Sequence, residues 1–211
     1  LVGPSGCGKT TLLNMLSGLD KKLEGVIKYQ DGTFPNNWPI GYMFQEPRLM
    51  PWLTVKENVS IVTNQTSEEL SHSEDLINEM DLTKYMNAFP SQLSGGMQRR
   101  VAIARAFVNK PKILLLDEPF ISLDMTVANL LRKMLIKLWE NQKTTIIFVT
   151  HDLREAIFLG DRILFLSKGP SKVIHDLKID IDRPREIEDD QMEKIRTDLM
   201  KTHPEILSGK I

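Results

Sequence analysis

The feature that most constrains this chain is a glycine-rich loop at its start. Residues 3–10 read GPSGCGKT, which fits the pattern G-x-x-x-x-G-K-[ST] in full. Glycines let the backbone curl until successive N–H groups point at an anion, and the apolar helix that follows adds its positive end. The spacing therefore predicts a loop between a strand and a helix that binds nucleoside triphosphate phosphates. A chance glycine-rich turn is the alternative, and the helix argues against it.

Individual residues of this loop have separate expected roles. Lys9 would reach the β- and γ-phosphates, and the Thr10 hydroxyl would ligate Mg²⁺. The predicted phosphate-binding residues are Gly3, Pro4, Ser5, Gly6, Cys7, Gly8, Lys9, Thr10 and Thr11. Only Leu1 and Val2 precede the loop, so we expect most of its strand to lie upstream and the chain to be a fragment. A native N-terminus at Leu1 is the alternative.

A second motif supplies carboxylates. Residues 114–118 read LLLDE, an apolar run that ends in two acids. A carboxylate at the end of a buried strand lies where α/β sheets bind ligands, so Asp117 is a predicted Mg²⁺ ligand. Glu118 is then the candidate base that polarises a water for attack on the γ-phosphate. A charged pair that merely ends a strand is the alternative, and the complete phosphate loop makes it weaker.

Composition bounds the rest. A chain of 211 residues that is 41% apolar can bury one sizeable core. The net charge of -1 gives no bulk attraction to nucleic acid, and the single cysteine excludes an intrachain disulfide framework. No apolar run reaches the ~18 residues that a membrane span needs. We therefore expect any membrane association to depend on docking to another chain.

Hydrophobic patterns alternate between strands and helices, which predicts an α/β sheet with an inserted helical stretch. The predicted strands are 26–29, 40–44, 113–116 and 145–149, with a closing pair at 163–166 and 173–174. The predicted helical segments are 11–16, about 55–106, 130–138 and the charged tail from 183.

A third motif lies between the phosphate loop and the acidic motif. Residues 93–100 read LSGGMQRR and lead into an apolar helix. Ser94, Gly95 and Gly96 open a helix N-terminus that can face a γ-phosphate, although an ordinary N-cap is the alternative. This stretch resembles the signature motif of the ABC ATPase family. Met97 stands where that family often has glutamine, and several importer branches of the family also have methionine there.

The resemblance implies that the nucleotide is ATP. It also suggests roles for residues that carry only a weak signal by themselves. Gln45 resembles the family's glutamine that senses Mg²⁺ and water, which makes it both a candidate metal ligand and a catalytic residue. Residues 122–124 (SLD) resemble the loop that crosses between subunits, and His151 resembles the switch histidine at the γ-phosphate. Taken alone, these would be a surface amide, a helix N-cap and a structural histidine.

The resemblance also implies an architecture. The fold would be a P-loop NTPase (RecA-like) core with a mostly parallel sheet and an inserted α-helical subdomain. One ABC ATPase domain would cover residues 1–211, with the helical subdomain at about 47–105 and a helical tail at about 183–211. Two such subunits would close over two ATP molecules, each signature motif completing the partner's site. Transmembrane permease subunits would hold the dimer at the cytoplasmic face of the membrane.

A narrower resemblance concerns the cargo. Residues 51–59 (PWLTVKENV) and 179–185 (IDIDRPR) are similar to the nitrate/sulfonate/taurine importer branch, and thiamine-precursor cassettes carry similar stretches. Simple packing of Trp52 is the alternative for the first stretch. Such importers use a periplasmic or lipid-anchored substrate-binding protein. The cassette itself does not touch the substrate.

Two other functions stay open at this point. An ABC ATPase of DNA repair or the ribosome would be expected to carry a coiled-coil insertion, tandem cassettes or basic arms, none of which this sequence has. A P-loop kinase or GTPase would lack the motif at Ser94–Gly96 and carry an acceptor-binding or guanine-reading motif instead. We therefore predict an importer ATPase with no nucleic-acid partner.

Overall fold

A computed structural model describes residues 1–21, 24–28, 39–186 and 189–210. The helices are α1 (Lys9–Leu16), α2 (Val55–Ser60), α3 (Ser67–Glu79), α4 (Gly95–Phe107), α5 (Met125–Gln142), α6 (Leu153–Leu159) and α7 (Asp190–Thr202). The strands are β1 (Ile40–Met43), β2 (Ile113–Asp117), β3 (Thr145–Val149), β4 (Arg162–Leu166) and β5 (Val173–Lys178). In this part of the chain, no helix combines the length and apolar character that crossing a bilayer requires.

The chain divides into two compact units. Unit 1 comprises residues 1–23 and 148–211, and unit 2 comprises residues 24–147. The phosphate loop and His151 belong to unit 1. Gln45, the signature motif and the Asp117–Glu118 pair belong to unit 2. The division crosses β3, whose first residues belong to unit 2 and whose last two belong to unit 1.

Unit 2 is built on a buried parallel pair of strands. β1 and β2 run parallel, from Ile40 opposite Ile113 to Met43 opposite Leu116, and β3 follows in the sheet order β1-β2-β3. Every residue of β2 is buried, because helices of an α/β unit cover both sheet faces. Helix α4 packs against β1 and also contacts α2, α3 and α5. The signature motif therefore begins the helix that forms the centre of this unit.

Unit 1 places the start of the phosphate loop beside strands. Val2 forms parallel bridges with both Thr150 and Phe165, donating to the Leu164 carbonyl at 3.0 Å and accepting from the Leu166 N–H at 2.8 Å. The closing strand pair that the sequence predicted is present as β4 and β5, and the structure shows that the two strands run antiparallel. Because Val2 is only 1% exposed, the loop leaves a strand-like position in the interior of the unit.

A buried arginine attaches the C-terminal tail of unit 1. The Arg185 guanidinium donates to the carbonyls of Ile157, Phe158 and Gly160, with the shortest distance 2.6 Å. It also donates to the Ile181 carbonyl, at 3.0 Å from Nε. The last carbonyls of a helix have no partner within the helix, so Arg185 supplies donors to the end of α6 from the tail.

Most predicted elements agree with the structure, but one strand is absent and the helical tail predicted from residue 183 begins only at Asp190, since residues 183–186 are not helical. The strands at 40–44, 113–116 and 145–149 and the helices near the motifs are confirmed. The strand predicted over residues 26–29 is wrong for 26–28, which are outside any strand, and Tyr29 lies outside the described residues. Val26 is 67% exposed, so its apolar side chain lacks the burial that would stabilise a strand.

Candidate functional site

The phosphate loop curls through two glycines in the left-handed region. Gly6 has φ 77° and Gly8 has φ 100°, values that residues with a Cβ rarely adopt. Gly8 is also the N-cap of α1 and provides no side-chain hydrogen bond to the helix. The first N–H groups of α1 are therefore not capped by that residue, as expected of a helix end that binds an anion.

Lys9 is held under this loop by backbone carbonyls. Its side chain is buried, and Nζ donates to the Gly3 carbonyl at 2.8 Å and to the Pro4 carbonyl at 3.0 Å. Nζ also lies 3.9 Å from the Cys7 sulfur. The ammonium is thus fixed by residues of its own motif, while Thr10 and Thr11 are exposed at the start of α1. A cation surrounded by an inward-curled loop is suited to bind phosphate oxygens.

The turn that carries His151 is also in unit 1. The Thr150 hydroxyl donates to Glu155 Oε2 at 2.7 Å and accepts from the Asp152 N–H at 2.9 Å. Asp152 caps α6 by accepting from the Arg154 N–H. These bonds fix the backbone on both sides of His151, whose own side chain is exposed two residues after the end of β3.

The acidic pair ends β2 in unit 2. Asp117 is the last residue of the strand and only 3% exposed, whereas Glu118 is half-buried and has φ 44°. The left-handed backbone at Glu118 turns the chain sharply out of the strand. Burial and, to a lesser extent, the Asp117 charge raise the pKa of Tyr42 to about 12. Tyr42 therefore stays a neutral phenol beside the strand end.

The signature motif begins α4 as a capped helix. Ser94 is the N-cap, and its Oγ accepts from the Met97 N–H at 3.3 Å. A Cβ on Gly96 would lie 2.7 Å from the Val127 side chain at the start of α5. Only glycine allows this approach without rearrangement. Asp124 caps α5 in turn, accepting from the Val127 N–H at 2.9 Å, so the crossing-loop segment is also a helix N-cap.

Comparison with known proteins agrees with these motifs. The model of the family described as ABC transporter matches residues 1–121. The chain belongs to this ATP-binding cassette family. An aliphatic sulfonates import ATP-binding protein of Pseudomonas syringae pv. tomato is 38% identical over 200 residues, covering 95% of this chain and 83% of that protein. An uncharacterized ABC transporter ATP-binding protein of Methanocaldococcus jannaschii is 42% identical over 194 residues, covering 88% and 72%.

A solved cassette gives the same result for the fold. Its structure is titled as a dimeric post-hydrolysis state of an ATP-binding cassette bound to ADP and Pi. It is 34% identical, aligns with a TM-score of 0.73, and covers 85% of this chain and 84% of its own. The P-loop NTPase fold, ABC family membership and the role of an ABC transporter ATP-binding subunit are therefore confirmed.

Sequence reasoning missed the arginines that hold the cassette's loops in unit 2. Arg99 on α4 donates to the carbonyls of Gln45, Pro119 and Ile121, at 3.1, 3.0 and 2.8 Å. Arg105 on the same helix donates to the carbonyls of Pro47 and Arg48. The available signal was the presence of arginines in a helix that also contains many apolar residues, because a buried guanidinium requires acceptors.

The cassette's oxygen donors fit a magnesium ion better than a metal that needs a protein cage. Among the described residues there is no group of three or more His, Cys, Asp or Glu side chains suited to a metal. Mg²⁺ commonly takes only one or two protein ligands and fills its shell with water and substrate phosphates. A hydroxyl such as Thr10 and a carboxylate such as Asp117 are the hard oxygen donors it prefers.

Proposed function

We propose that this cassette hydrolyses ATP to energise an ABC importer for a small anionic solute, with alkanesulfonates as the favoured class. The observation that carries the proposal is the capped signature helix at Ser94, on the same chain as a phosphate loop with a buried lysine. The named sulfonate importer relative, similar over 95% of this chain, supports the choice of solute.

ATP binding is assigned to the phosphate loop. Residues 3–11 supply inward N–H groups, and Lys9 binds the β- and γ-phosphates. The Gly3 and Pro4 carbonyls keep Nζ close to the loop, at 2.8 and 3.0 Å, so little side-chain freedom is lost when nucleotide arrives. Thr10, Asp117 and Gln45 are the proposed Mg²⁺ ligands, and the ion would neutralise charge on the β- and γ-oxygens.

Hydrolysis is assigned to Glu118, Gln45 and His151. Glu118 takes a proton from the attacking water, as a half-buried carboxylate directly after a buried strand can do. Gln45 orients that water through its side-chain amide. His151 contacts the γ-phosphate from a turn that Thr150 and Asp152 hold in place. Each role requires a different chemical group, so substitutions of Glu118, Gln45 and His151 should produce three different kinetic defects.

We further propose that two copies act together, since a solved relative is titled as a dimer. Ser94 and the following glycine N–H groups would bind the γ-phosphate held by the partner copy. A mixture of Lys9→Ala and Ser94→Arg subunits tests this. A mixed dimer contains one site with neither lesion, whereas every homodimer site contains one. ATP-dependent pairing, followed by light scattering, should return in the mixture and stay absent in either variant alone. No gain in the mixture would contradict shared sites.

The membrane partners are assigned to the helical segment at 47–105. Trp52 there is 70% exposed, so its ring is available to a permease subunit. We propose docking at the cytoplasmic membrane face, with a substrate-binding protein supplying the solute to the permease. Copurification with the permease tests the docking. Loss of it in Trp52→Ala, with ATP binding retained, is the expected result, because Trp52 is exposed and has no assigned role in the ATP site.

Solute class is tested by growth. A strain of the source organism that lacks the gene should fail to grow on an alkanesulfonate as sole sulfur source while growing normally on sulfate. The wild-type gene should restore growth, and the Glu118→Gln gene should not. Normal growth of the deletion strain on sulfonates, with nitrate or thiamine-precursor use impaired, would reject the solute and keep the transport function.

A further inference from the structure

One buried guanidinium in unit 2 makes hydrogen bonds with two catalytic loops. Arg99 is 8% exposed, and its NH1 donates to the carbonyls of Gln45 and Pro119 while its NH2 donates to that of Ile121. The acceptors are 54, 20 and 22 residues away in the sequence. All three are backbone oxygens, so the bonds act on loop position rather than on side-chain chemistry.

The turn after β2 needs such support. Glu118 begins it with φ 44° and Ser122 ends it with φ 61°, both unfavourable for residues with a Cβ. The turn's own hydrogen bonds are long, 3.2 Å from the Ile121 N–H to the Glu118 carbonyl and 3.4 Å from the Leu123 N–H to the Phe120 carbonyl. Strained backbone of this kind persists only where surrounding structure restrains it. Between these two strained residues, Arg99 donates to the carbonyls of Pro119 and Ile121.

The same guanidinium reaches the Gln45 loop. A planar guanidinium presents its donors in a rigid fork, so binding one loop fixes the direction in which it binds the other. The backbone that carries Gln45 and the backbone that carries Glu118 are thus attached to one rigid group at the start of the signature helix. A lysine would keep the charge but has no fork to hold three carbonyls.

We propose that Arg99 is a positioning residue for hydrolysis. It fixes the positions of Gln45 and Glu118 relative to each other so that both side chains contact the same water. This inference rests on the proposed ATP hydrolysis. Arg99 contacts no nucleotide in this role, because the phosphates are assigned to the loop of residues 3–11. Its loss should therefore lower kcat and leave ATP binding in place.

The test uses Arg99→Lys in the full natural protein, with Arg100→Lys as the matched control. Arg100 is the next residue of α4, but it donates to the Met80 carbonyl at 3.3 Å and pairs with Asp81, outside both loops. Arg99→Lys should lower kcat about 10²-fold, as small displacements of catalytic groups do. Its KM and Kd for ATP should stay within about threefold of wild type. Arg100→Lys should retain wild-type kcat.

Two further readouts separate positioning from simple loss of stability. If Arg99 acts partly through Glu118, Arg99→Lys should lower the residual rate of Glu118→Gln by a much smaller factor than it lowers the wild-type rate, whereas independent lesions would multiply. Amide hydrogen exchange at Ile121 and Leu123, measured without nucleotide, should accelerate in Arg99→Lys and not in Arg100→Lys. Multiplying losses, or unchanged exchange at both amides, would overturn the proposal. Absence of hydrolysis in both wild type and Arg100→Lys would instead refute the proposed ATPase function.

Discussion

The two units organise their functional loops in different ways. In unit 1 the phosphate loop is held by its own motif, since Lys9 donates to carbonyls only 5 and 6 residues away. In unit 2 the loops that carry Gln45 and Glu118 are held by Arg99, whose acceptors are 20 to 54 residues away. The bonds of the local motif depend on a short stretch of backbone. A composite motif depends on the packing of the whole unit.

This difference implies that substitutions in the two units should separate binding from turnover. Lesions in the phosphate loop should change affinity with small effects on folding. Lesions in unit 2 should change catalysis while nucleotide still binds.

Glu118→Gln should lower the rate of ATP hydrolysis about 10³-fold, because an amide cannot accept the proton from water. ATP binding should persist, and the ATP-bound dimer should accumulate in size-exclusion chromatography. Glu140→Gln, on the exposed face of α5, is the matched control and should keep normal turnover. Near-normal hydrolysis by Glu118→Gln would remove Glu118 from the role of base.

Arg185→Met tests whether the hydrogen bonds between the C-terminal tail and α6 stabilise unit 1. Removing the guanidinium leaves carbonyls at the end of α6 without donors, so the free energy of unfolding should fall by about 3 kcal/mol in urea denaturation. Arg196→Met is the control, because Arg196 bonds to Glu193 on the same exposed turn of α7. That change should leave the free energy of unfolding close to the wild-type value, because solvent screens the exposed Arg196–Glu193 pair. Equal losses for the two variants would show that the tail attachment has no special weight.

Lys9→Ala should weaken ATP binding by about 2 kcal/mol, or roughly 30-fold in Kd, through loss of charge-assisted hydrogen bonds to phosphate. Calorimetry measures the affinity, and thermal unfolding without nucleotide should change little. Lys21→Ala, an exposed lysine after α1, is the control and should bind ATP normally. Unchanged affinity in Lys9→Ala would place the phosphates elsewhere.

Ser94→Ala should lower the free energy of unfolding by about 1 kcal/mol, the usual loss for an N-cap. The comparison is with Ser91→Ala, which changes an exposed serine of the preceding turn. Chemical denaturation of both proteins without ATP gives the difference. If the two variants are equally stable, the hydrogen bond from the Met97 N–H to Ser94 Oγ does not contribute to the free energy of unfolding.

Contiguous features were predictable from the sequence and composite ones were not. The glycines of the phosphate loop, the apolar run of β2 and the cap at Ser94 lie within short windows, where residue type and spacing determine local structure. The contact of Arg99 with Pro119 and Ile121 depends on tertiary packing, which no window contains. Val26 shows the converse, since an apolar pattern predicted a strand but the structure does not bury it.

The hydroxyl of Ser94 can act both in the folding of α4 and in the pairing of two cassettes, and one substitution should remove only the second role. A hydroxyl has lone pairs and one proton, and the Met97 N–H uses only a lone pair. In the proposed dimer, this proton would donate to the γ-phosphate of the ATP held by the partner copy. Aspartate at this position would cap the helix as well as serine does, but it has no proton to donate and repels phosphate. Ser94→Asp should therefore behave as a separation-of-function allele, folded as a monomer yet unable to engage a partner's ATP.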